Sequence, residues 1–264
     1  MAQLCGMRDY AAPMSLRSSA VGRLSCCAAM VSLGLALAAC GSTAGAGTRS
    51  ATPHPTNGQP TLATKLISAS STGTCLTTKA PMPKGAQHIP KPRLMLNPAK
   101  RYIVSLTTNC GTIEIQLDVR EAPRTTASFA YLVKRGFYND LTFHRVAADF
   151  VIQGGDPNGD GTGGPGYTIV EPPPGHMRYT LGTVAMAKTD TDPAGTSGSQ
   201  FFIVTTEDAA LPAQYALVGN VVGGFASMKA ISKLPTDPPQ DGAPTKPVVI
   251  SQATLSSSYF VRKK

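Results

Sequence analysis

Arg145 lies inside an apolar run, in the stretch Thr142–Val146, and Gln153 follows it just before two glycines and Asp156. An arginine keeps its charge at every physiological pH and is rarely buried without a partner. Beside a cleft it could aim several N–H donors at a substrate, and a neighbouring amide could hold its flexible side chain in place. This pair is therefore the first candidate for chemistry.

The glycine-rich loop that follows matches two ligand-binding patterns only in part. Residues 159–164 read GxGxxG, but a dinucleotide-binding turn must open a helix, and Pro165-Gly166 cannot continue one. Asp156, Asn158 and Asp160 are spaced like the start of a calcium-binding loop, but position twelve is Tyr167, where a bidentate glutamate is required. We therefore predict a surface loop without a metal or a cofactor.

Three separated stretches resemble the cyclophilin-type peptidyl-prolyl cis-trans isomerases: FHRVAADFVIQGGD (Phe143–Asp156), GTVAMAKTDTDPAGTSGSQFFI (Gly182–Ile203) and LPAQYALVGNVVGG (Leu211–Gly224). The resemblance covers about residues 100 to 255. It implies a closed eight-stranded antiparallel β-barrel capped by two α-helices, with the active groove on the outer face. It also implies proline-containing polypeptides as substrates.

The resemblance assigns roles to individual residues. Arg145 matches the catalytic arginine, and Gln153 matches the glutamine that holds it. A larger set matches the substrate-binding positions: Phe150, Val151, Ala187, Lys188, Gln200, Phe202, Leu211 and Tyr215.

These residue types suit the chemistry. Rotation about an X-Pro bond faces a barrier of about 18–20 kcal/mol because amide resonance must be broken. No bond is made or cut, so a nucleophile, metal or general base has no task. A fixed donor that favours a pyramidal prolyl nitrogen, beside an apolar slot for the ring, is what the reaction needs.

The sequence departs from the family pattern at several site positions. The usual pocket tryptophan is Ala210, the usual histidine is Tyr215, and the usual asparagine after Met-Ala is Lys188. We expect weak cyclosporin binding from the first change. The departures keep a second hypothesis open, in which the protein binds proline-containing segments without isomerising them.

The N-terminus is typical of an export signal. Arg17 and Arg23 precede a run of uncharged residues from Leu24 to Ala39, too short for a membrane span, which takes about 20 apolar residues. The run ends in Leu-Ala-Ala-Cys at Cys40, which resembles a lipoprotein lipidation site. We predict a signal peptide over residues 1–39 and a lipid anchor at Cys40 on the extracytoplasmic face of the cell membrane, with ordinary secretion as the alternative.

Residues 40–98 predict a flexible spacer, since they are rich in proline, serine and threonine and lack periodicity. Residues 41–98 contain six basic side chains and no acidic one, which accounts for much of the net charge of +9. No nucleic-acid-binding motif accompanies them, so nucleic acid is the weaker interpretation. Cys75 and Cys110 are the pair left outside the signal and anchor, and we predict a disulfide that joins the segment before the domain to the first hairpin, with two free thiols as the alternative.

The isomerase domain is predicted over residues 99–257, followed by a basic tail over 258–264. Alternating apolar residues predict strands at 102–107 and 112–117 and further short strands to 254. Pro123 and Gly136 bracket one helix, and a second is predicted at 225–233. We expect a monomer.

Overall fold

The computed structural model describes residues 73–260. The predicted signal peptide, Cys40, the first part of the predicted spacer and the last four residues of the predicted tail lie outside the described residues. No described helix is long and apolar enough to cross a bilayer.

The described chain is mostly β-strand, with two helices. The strands are β1 (Lys100–Thr108), β2 (Gly111–Leu117), β3 (Leu141–Ala147), β4 (Val151–Asp156), β5 (Ile169–Val170), β6 (Thr183–Met186), β7 (Thr196–Ser197), β8 (Phe201–Val204), β9 (Leu217–Gly223), β10 (Thr236–Asp237), β11 (Asp241–Pro244) and β12 (Val249–Tyr259). The helices are α1 (Pro123–Lys134) and α2 (Phe225–Ser232).

Eight of the strands close into a barrel. They follow the order β3-β12-β1-β2-β9-β6-β8-β4, and β4 pairs again with β3, so the ring has no open edge. Every pairing in the ring is antiparallel. The predicted eight-stranded barrel is confirmed, and so are its two helices.

Strand periodicity places the core inside this ring. Successive side chains of a strand face opposite sides, so Ile113, Ile115 and Leu117 of β2 point inward and are buried. Helix α1 packs Phe129 and Leu132 against the same core. It begins at Pro123, whose fixed φ suits the first helical turn, and its end is followed by Gly136 at φ 66°, in the left-handed region that glycine adopts without strain.

Four short strands were not predicted. β5 pairs with β7 outside the barrel, and β10 pairs with β11, which in turn pairs with β3 through Asp241 and Gly242. These segments contain two or four residues, too few for an alternating pattern to show. β12 extends to Tyr259, opposite Lys100 of β1, and so enters the segment predicted as a tail.

The last part of the predicted spacer runs along the barrel, and we call residues 75–89 the strap. Cys75 at its start forms a disulfide with Cys110 in the β1–β2 turn. The backbone amides of Leu76, Lys84 and Ile89 donate to carbonyl oxygens of the domain at 2.8, 2.8 and 2.9 Å. The strap is therefore part of the domain's surface, despite a composition typical of a linker.

Candidate active site

The strand register brings the predicted catalytic pair together. Arg145 of β3 lies opposite Gln153 of β4, Gln153 lies opposite Phe202 of β8, and Phe202 lies opposite Ala185 of β6. Paired residues of adjacent strands project to the same face, so the four side chains form one row across the barrel wall. Phe201, the neighbour of Phe202, belongs to the barrel core, which places this row on the outer face.

Two side chains fix the guanidinium of Arg145. Its Nε and Nη2 donate to the two carboxylate oxygens of Asp241, at 2.7 and 2.8 Å. Its Nη1 donates to Oε1 of Gln153 at 3.1 Å. The side chain stays 32 % exposed, so the charge is held at the surface of the site rather than buried. Asp241 was not among the residues predicted from the sequence.

The glutamine that holds Arg145 is itself held. Nε2 of Gln153 donates to Oε1 of Gln200 at 3.1 Å, and Nε2 of Gln200 donates to the carbonyl oxygens of Gly161 and Gly163, both at 2.9 Å. The chain of bonds therefore runs from the guanidinium to the glycine-rich loop. Each amide has its oxygen and nitrogen assigned by this network.

The glycine-rich loop is closed by the buried carboxylate of Asp156. Its oxygens accept backbone N–H bonds from Asn158, Asp160 and Gly161 at 2.8, 3.0 and 2.5 Å. Asp156 is thus occupied with holding the loop. Among residues 73–260, no three His, Cys, Asp or Glu side chains are grouped as metal ligands would be.

An apolar cluster of side chains adjoins the row on the outer face, and we interpret it as the candidate pocket for a proline ring. Val151, Ala185 and Phe202 are buried at its base. Half-buried side chains surround them: Phe150, Met177, Ala187, Ala209, Leu211 and Tyr215. The rings of Phe202 and Tyr215 meet edge to face, with centroids 5.3 Å apart. A saturated five-membered ring is the kind of group that such a pocket suits.

Tyr179, also absent from the sequence-based prediction, is buried in the same cluster and bonds the backbone of Tyr215. Its hydroxyl donates to the carbonyl oxygen of Tyr215 at 2.7 Å and accepts from the Tyr215 N–H at 2.9 Å. Burial raises the pKa of Tyr179 to about 12, so the hydroxyl keeps its proton at physiological pH. Burial also raises the pKa of Tyr215, the nearby Asp190 adds to the rise, and the charge of Arg145 opposes it.

Lys188 lies at the rim of the pocket, where its ammonium group is bonded to the loop that follows it. Its ammonium group donates to the carbonyl oxygens of Thr189 and Asp192, at 2.9 and 3.2 Å. The nitrogen is 5.6 Å from the centre of the Tyr215 ring, a distance at which a cation–π attraction operates. The lysine thereby stabilises the loop and the aromatic wall.

A groove lined by both polar and apolar groups continues from this site. It has a volume of about 700 Å³, and Gln153, Gln200, Ala187 and Lys188 all line it. The ten residues predicted for catalysis and substrate binding are therefore divided between the Arg145 row, the apolar pocket and this groove, which adjoin one another.

This arrangement can hold a ring and offer a fixed positive donor to the bond beside it. Arg145 and Phe202 are two strand spacings apart, about 10 Å between backbones, which a side chain and a bound peptide can bridge. The barrel and its outer site define a protein that binds prolyl peptides and acts on the amide before the ring.

The comparisons identify the family. The family model for "Cyclophilin type peptidyl-prolyl cis-trans isomerase/CLD" matches residues 103–255. The chain belongs to this family, and its enzyme class is peptidyl-prolyl cis-trans isomerase.

Individual relatives agree with this assignment. Peptidyl-prolyl cis-trans isomerase B of Bacillus subtilis is 44% identical over 121 residues, which are 46% of this chain and 82% of that protein. A peptidyl-prolyl cis-trans isomerase of Helicobacter pylori is 40% identical over 124 residues, 47% of this chain and 74% of that protein. Peptidyl-prolyl cis-trans isomerase CYP65 of Arabidopsis thaliana is 34% identical over 60% of this chain, but the match spans only 27% of that protein.

A solved structure is similar as well. A cyclophilin-type isomerase of Cryptosporidium parvum, crystallised in the presence of the dipeptide Ala-Pro, superposes with a TM-score of 0.54 at 30% identity. The similarity covers 59% of this chain and 99% of that chain.

Proposed function

We propose that this protein accelerates X-Pro rotation in exported polypeptides through the guanidinium of Arg145. The observation that carries the proposal is the position of that guanidinium, held by Asp241 and Gln153 beside the pocket of Phe202. A donor held in this way loses little conformational entropy when a substrate arrives.

The proposed mechanism needs only binding and electrostatics. The proline ring enters the apolar pocket, and an N–H of Arg145 is directed at the prolyl nitrogen. As the bond twists, amide resonance is lost and the lone pair of the nitrogen becomes localised on a pyramidal atom, where it accepts the N–H more strongly than in the planar amide. Raising a rate of about 10⁻² s⁻¹ to about 10³ s⁻¹ takes about 7 kcal/mol. A preorganised charged donor and preferential binding of the twisted amide are effects of that size.

The test compares arginine variants of the full-length chain on a short X-Pro peptide. Arg145→Ala should lower kcat/KM by about a hundredfold or more, which is the scale of losing one preorganised donor. The kcat/KM of Arg145→Lys should lie between that of Arg145→Ala and that of the wild type, because an ammonium group keeps the charge but cannot bond Asp241 and Gln153 at the same time. Arg178→Ala is the matched control, since Arg178 is an exposed arginine paired with Asp208. An unchanged rate in folded Arg145→Ala would overturn the mechanism.

The proposed location is the extracytoplasmic face of a membrane, through a lipid on Cys40. The Leu-Ala-Ala-Cys sequence before Gly41 supports it, and so does the Cys75–Cys110 disulfide, which is typical of an oxidising compartment. Cys40→Ser should move the protein from the membrane fraction to the soluble fraction. Retention on the membrane in that variant would refute a lipid anchor at Cys40.

A binding module without catalysis is the second candidate, favoured by the changes at Ala210, Tyr215 and Lys188. It predicts that proline peptides bind with no acceleration of isomerisation. The same Ala210 leads us to expect weak cyclosporin inhibition, because a large apolar side chain is missing from the pocket rim. Tight inhibition would contradict that expectation.

A further inference from the structure

One face of the barrel combines exposed aromatic rings with basic side chains. Tyr259 ends β12 and Phe260 follows it, and the two are 65 % and 53 % exposed. The ammonium nitrogen of Lys100 is 4.7 Å from the centre of the Tyr259 ring, and Cζ of Arg120 is 5.8 Å from the centre of the Phe260 ring. Arg101 follows Lys100 on β1 and is exposed. We call these five residues the basic–aromatic face.

A groove of about 330 Å³ lies in this face. The three basic residues of the face line it, and within the described lining Asp118 is the one acidic residue. Glu121, whose backbone N–H donates to Asp118 at 3.2 Å, is exposed just beyond the lining. The groove therefore carries three positive charges against one negative charge, which favours an anionic ligand.

The two ends of the barrel domain supply this face. Lys100, Arg101, Tyr259 and Phe260 all lie outside the span of residues 103–255 that the family model matches. Three more basic residues, at positions 262–264, follow Phe260 in the sequence and lie outside the described residues. The charge and the exposed rings are thus features of this chain rather than of the family domain.

The basic–aromatic face lies across the barrel from the active site. In the ring order β3-β12-β1-β2-β9-β6-β8-β4, the row of Arg145 crosses β3, β4, β8 and β6, whereas β1, β2 and β9 line the groove. β1 is four strands from β8 in either direction around the ring, and β2 is four strands from β4. Arg101 and Gln116 alternate with buried neighbours and so project outward. A surface bound to this face therefore leaves the Arg145 row directed away from it.

The exposed apolar groups favour a lipid surface over a soluble anionic polymer. Aromatic rings flanked by lysine and arginine bind the interface of an anionic bilayer, where the rings leave water and the cations meet the headgroups. Leu94 and Met95, six and five residues before the start of β1, are 86 % and 53 % exposed and add apolar surface to this end of the chain. A polyanion without apolar groups would neutralise the charges but leave these side chains in water.

We propose that the basic–aromatic face docks on an anionic phospholipid surface and orients the barrel with the Arg145 row directed away from the bilayer. The docking is carried by the charges and rings of the face, and only its use in the cell rests on the proposed location at a membrane. The orientation keeps the proline pocket open to polypeptides that approach from the aqueous side.

The chain contains no tryptophan, so a single introduced one reports its own position. Phe260→Trp places the probe on the face. Met82→Trp places it on the strap, 87 % exposed and two residues from Lys84, which bonds Pro157 just beyond β4. Full-length chains are mixed with vesicles of phosphatidylglycerol and phosphatidylcholine whose acyl chains carry bromine, a contact quencher. The tryptophan at position 260 should be quenched and its emission shifted to the blue, whereas that at position 82 should be unaffected.

Charge variants test what holds the face at the bilayer. In the Phe260→Trp background, the triple substitution Lys100→Gln, Arg101→Gln, Arg120→Gln should lower the affinity of the face for these vesicles about a hundredfold and abolish the quenching. Vesicles of phosphatidylcholine alone, or about 1 M salt, should have the same effect on the unsubstituted face.

A matched control removes the same charge elsewhere. The triple substitution Lys134→Gln, Lys229→Gln, Lys246→Gln changes exposed lysines on α1, on α2 and between β11 and β12. It should leave the quenching at position 260 intact. Both triple variants should keep the wild-type kcat/KM on a minimal Ala-Pro peptide, because neither changes the Arg145 row, and that rate also shows that they are folded.

Each alternative outcome has a distinct meaning. Equal quenching at positions 260 and 82, or quenching at position 260 that survives loss of the three charges, would overturn the docking face. No quenching on the vesicles, with polyphosphate or single-stranded DNA bound through the same three charges, would assign the face to a soluble polyanion and overturn the lipid surface. Release of Cys40→Ser or loss of isomerisation concerns the proposed function, and charge-dependent quenching at position 260 stands without either.

Discussion

Asp241 accepts two hydrogen bonds from the guanidinium of Arg145, although the two residues are 96 positions apart in the chain. The strand register explains why these two residues lie close together. Asp241 of β11 lies opposite Ala147 of β3, and Ala147 is two residues from Arg145 on the same face of that strand. Asp241 and Gln153 engage three of the five guanidinium N–H groups, which leaves two without a partner among the described residues.

We predict that Asp241→Ala lowers kcat/KM by about tenfold, because the guanidinium keeps its charge but loses its fixed orientation. A misplacement of a catalytic group by about 1 Å costs up to a hundredfold in rate, and Gln153 still restrains one nitrogen. Asp241→Asn retains one acceptor oxygen, so its kcat/KM should lie between that of Asp241→Ala and that of the wild type. The loss should appear in kcat more than in KM, since Asp241 acts on the donor and not on the proline ring.

The control for this prediction is Asp237→Asn, which removes the same charge from the adjoining strand β10 at an exposed position. It should keep the wild-type rate. If the Asp241 variants are folded and as fast as the wild type, the carboxylate has no positioning role.

Sequence patterns predicted individual strands, most clearly β1 and β2, whose buried residues alternate along the strand, and the family resemblance supplied the closed eight-stranded barrel. Ile113, Ile115 and Leu117 recur at every second position, and Phe201 and Phe202 fall on opposite faces for the same reason. The family resemblance then supplied the positions of Arg145 and Gln153, which the register brings together.

The residues that were missed lack any such pattern. Asp241 follows Pro-Pro-Gln and precedes a glycine, a composition typical of a turn, and its strand is too short to reveal its register. The strap is bound through backbone amides and carbonyl oxygens, which every sequence has, so its proline-rich composition predicted only a linker. Tyr179 lies outside the strands, and its contact with Tyr215 spans 36 positions.

We predict that Tyr179→Phe weakens the pocket without abolishing catalysis. The substitution removes the hydroxyl that bonds both the N–H and the carbonyl oxygen of Tyr215. The free energy of unfolding should fall by about 1–3 kcal/mol, the cost of leaving buried polar groups unpaired. KM should rise, because the Tyr215 wall loses its support, while kcat changes little.

Urea unfolding and peptide kinetics on the same preparation measure both effects. Tyr215→Phe is the paired control, because it removes a hydroxyl from the same pocket and leaves the backbone bonds of residue 215 in place. Equal KM values for Tyr179→Phe and the wild type would show that the pocket wall does not depend on Tyr179.

We predict that the double substitution Cys75→Ala, Cys110→Ala lowers the free energy of unfolding by about 3–4 kcal/mol. The disulfide closes a loop with a sequence separation of 35, and a loop of that length restricts the unfolded chain by about this amount. Urea unfolding of the oxidised wild type and the double variant measures the difference. A reductant should destabilise the wild type and leave the double variant unchanged, and a midpoint shared by all four samples would refute the prediction.

His144 has two ring nitrogens that are buried without a hydrogen-bond partner among the described residues. Burial lowers the pKa of His144 below its usual 6.5, the nearby carboxylates of Asp156 and Asp160 oppose this shift, and the charge of Arg145 adds to it. Below about pH 6.5 His144 therefore takes up a proton in the unfolded chain, whereas in the folded chain it does so only at a lower pH. The free energy of unfolding should fall as the pH decreases from 6.5 toward the folded-state pKa, by at most about 1.4 kcal/mol per pH unit.

His144→Phe removes the titrating group and keeps an aromatic ring, so it isolates this contribution. The stability difference between the variant and the wild type should shift in favour of the variant between pH 7.5 and pH 5.5. His176→Phe, at an exposed histidine, is the control for exchanging a histidine for phenylalanine. The proposed mechanism does not use His144, and Tyr179 and Tyr215 keep their protons up to pH 9. We therefore expect kcat/KM to be independent of pH from pH 7 to 9. A stability difference that stays constant with pH would mean that His144 is protonated as readily in the folded chain as in the unfolded one.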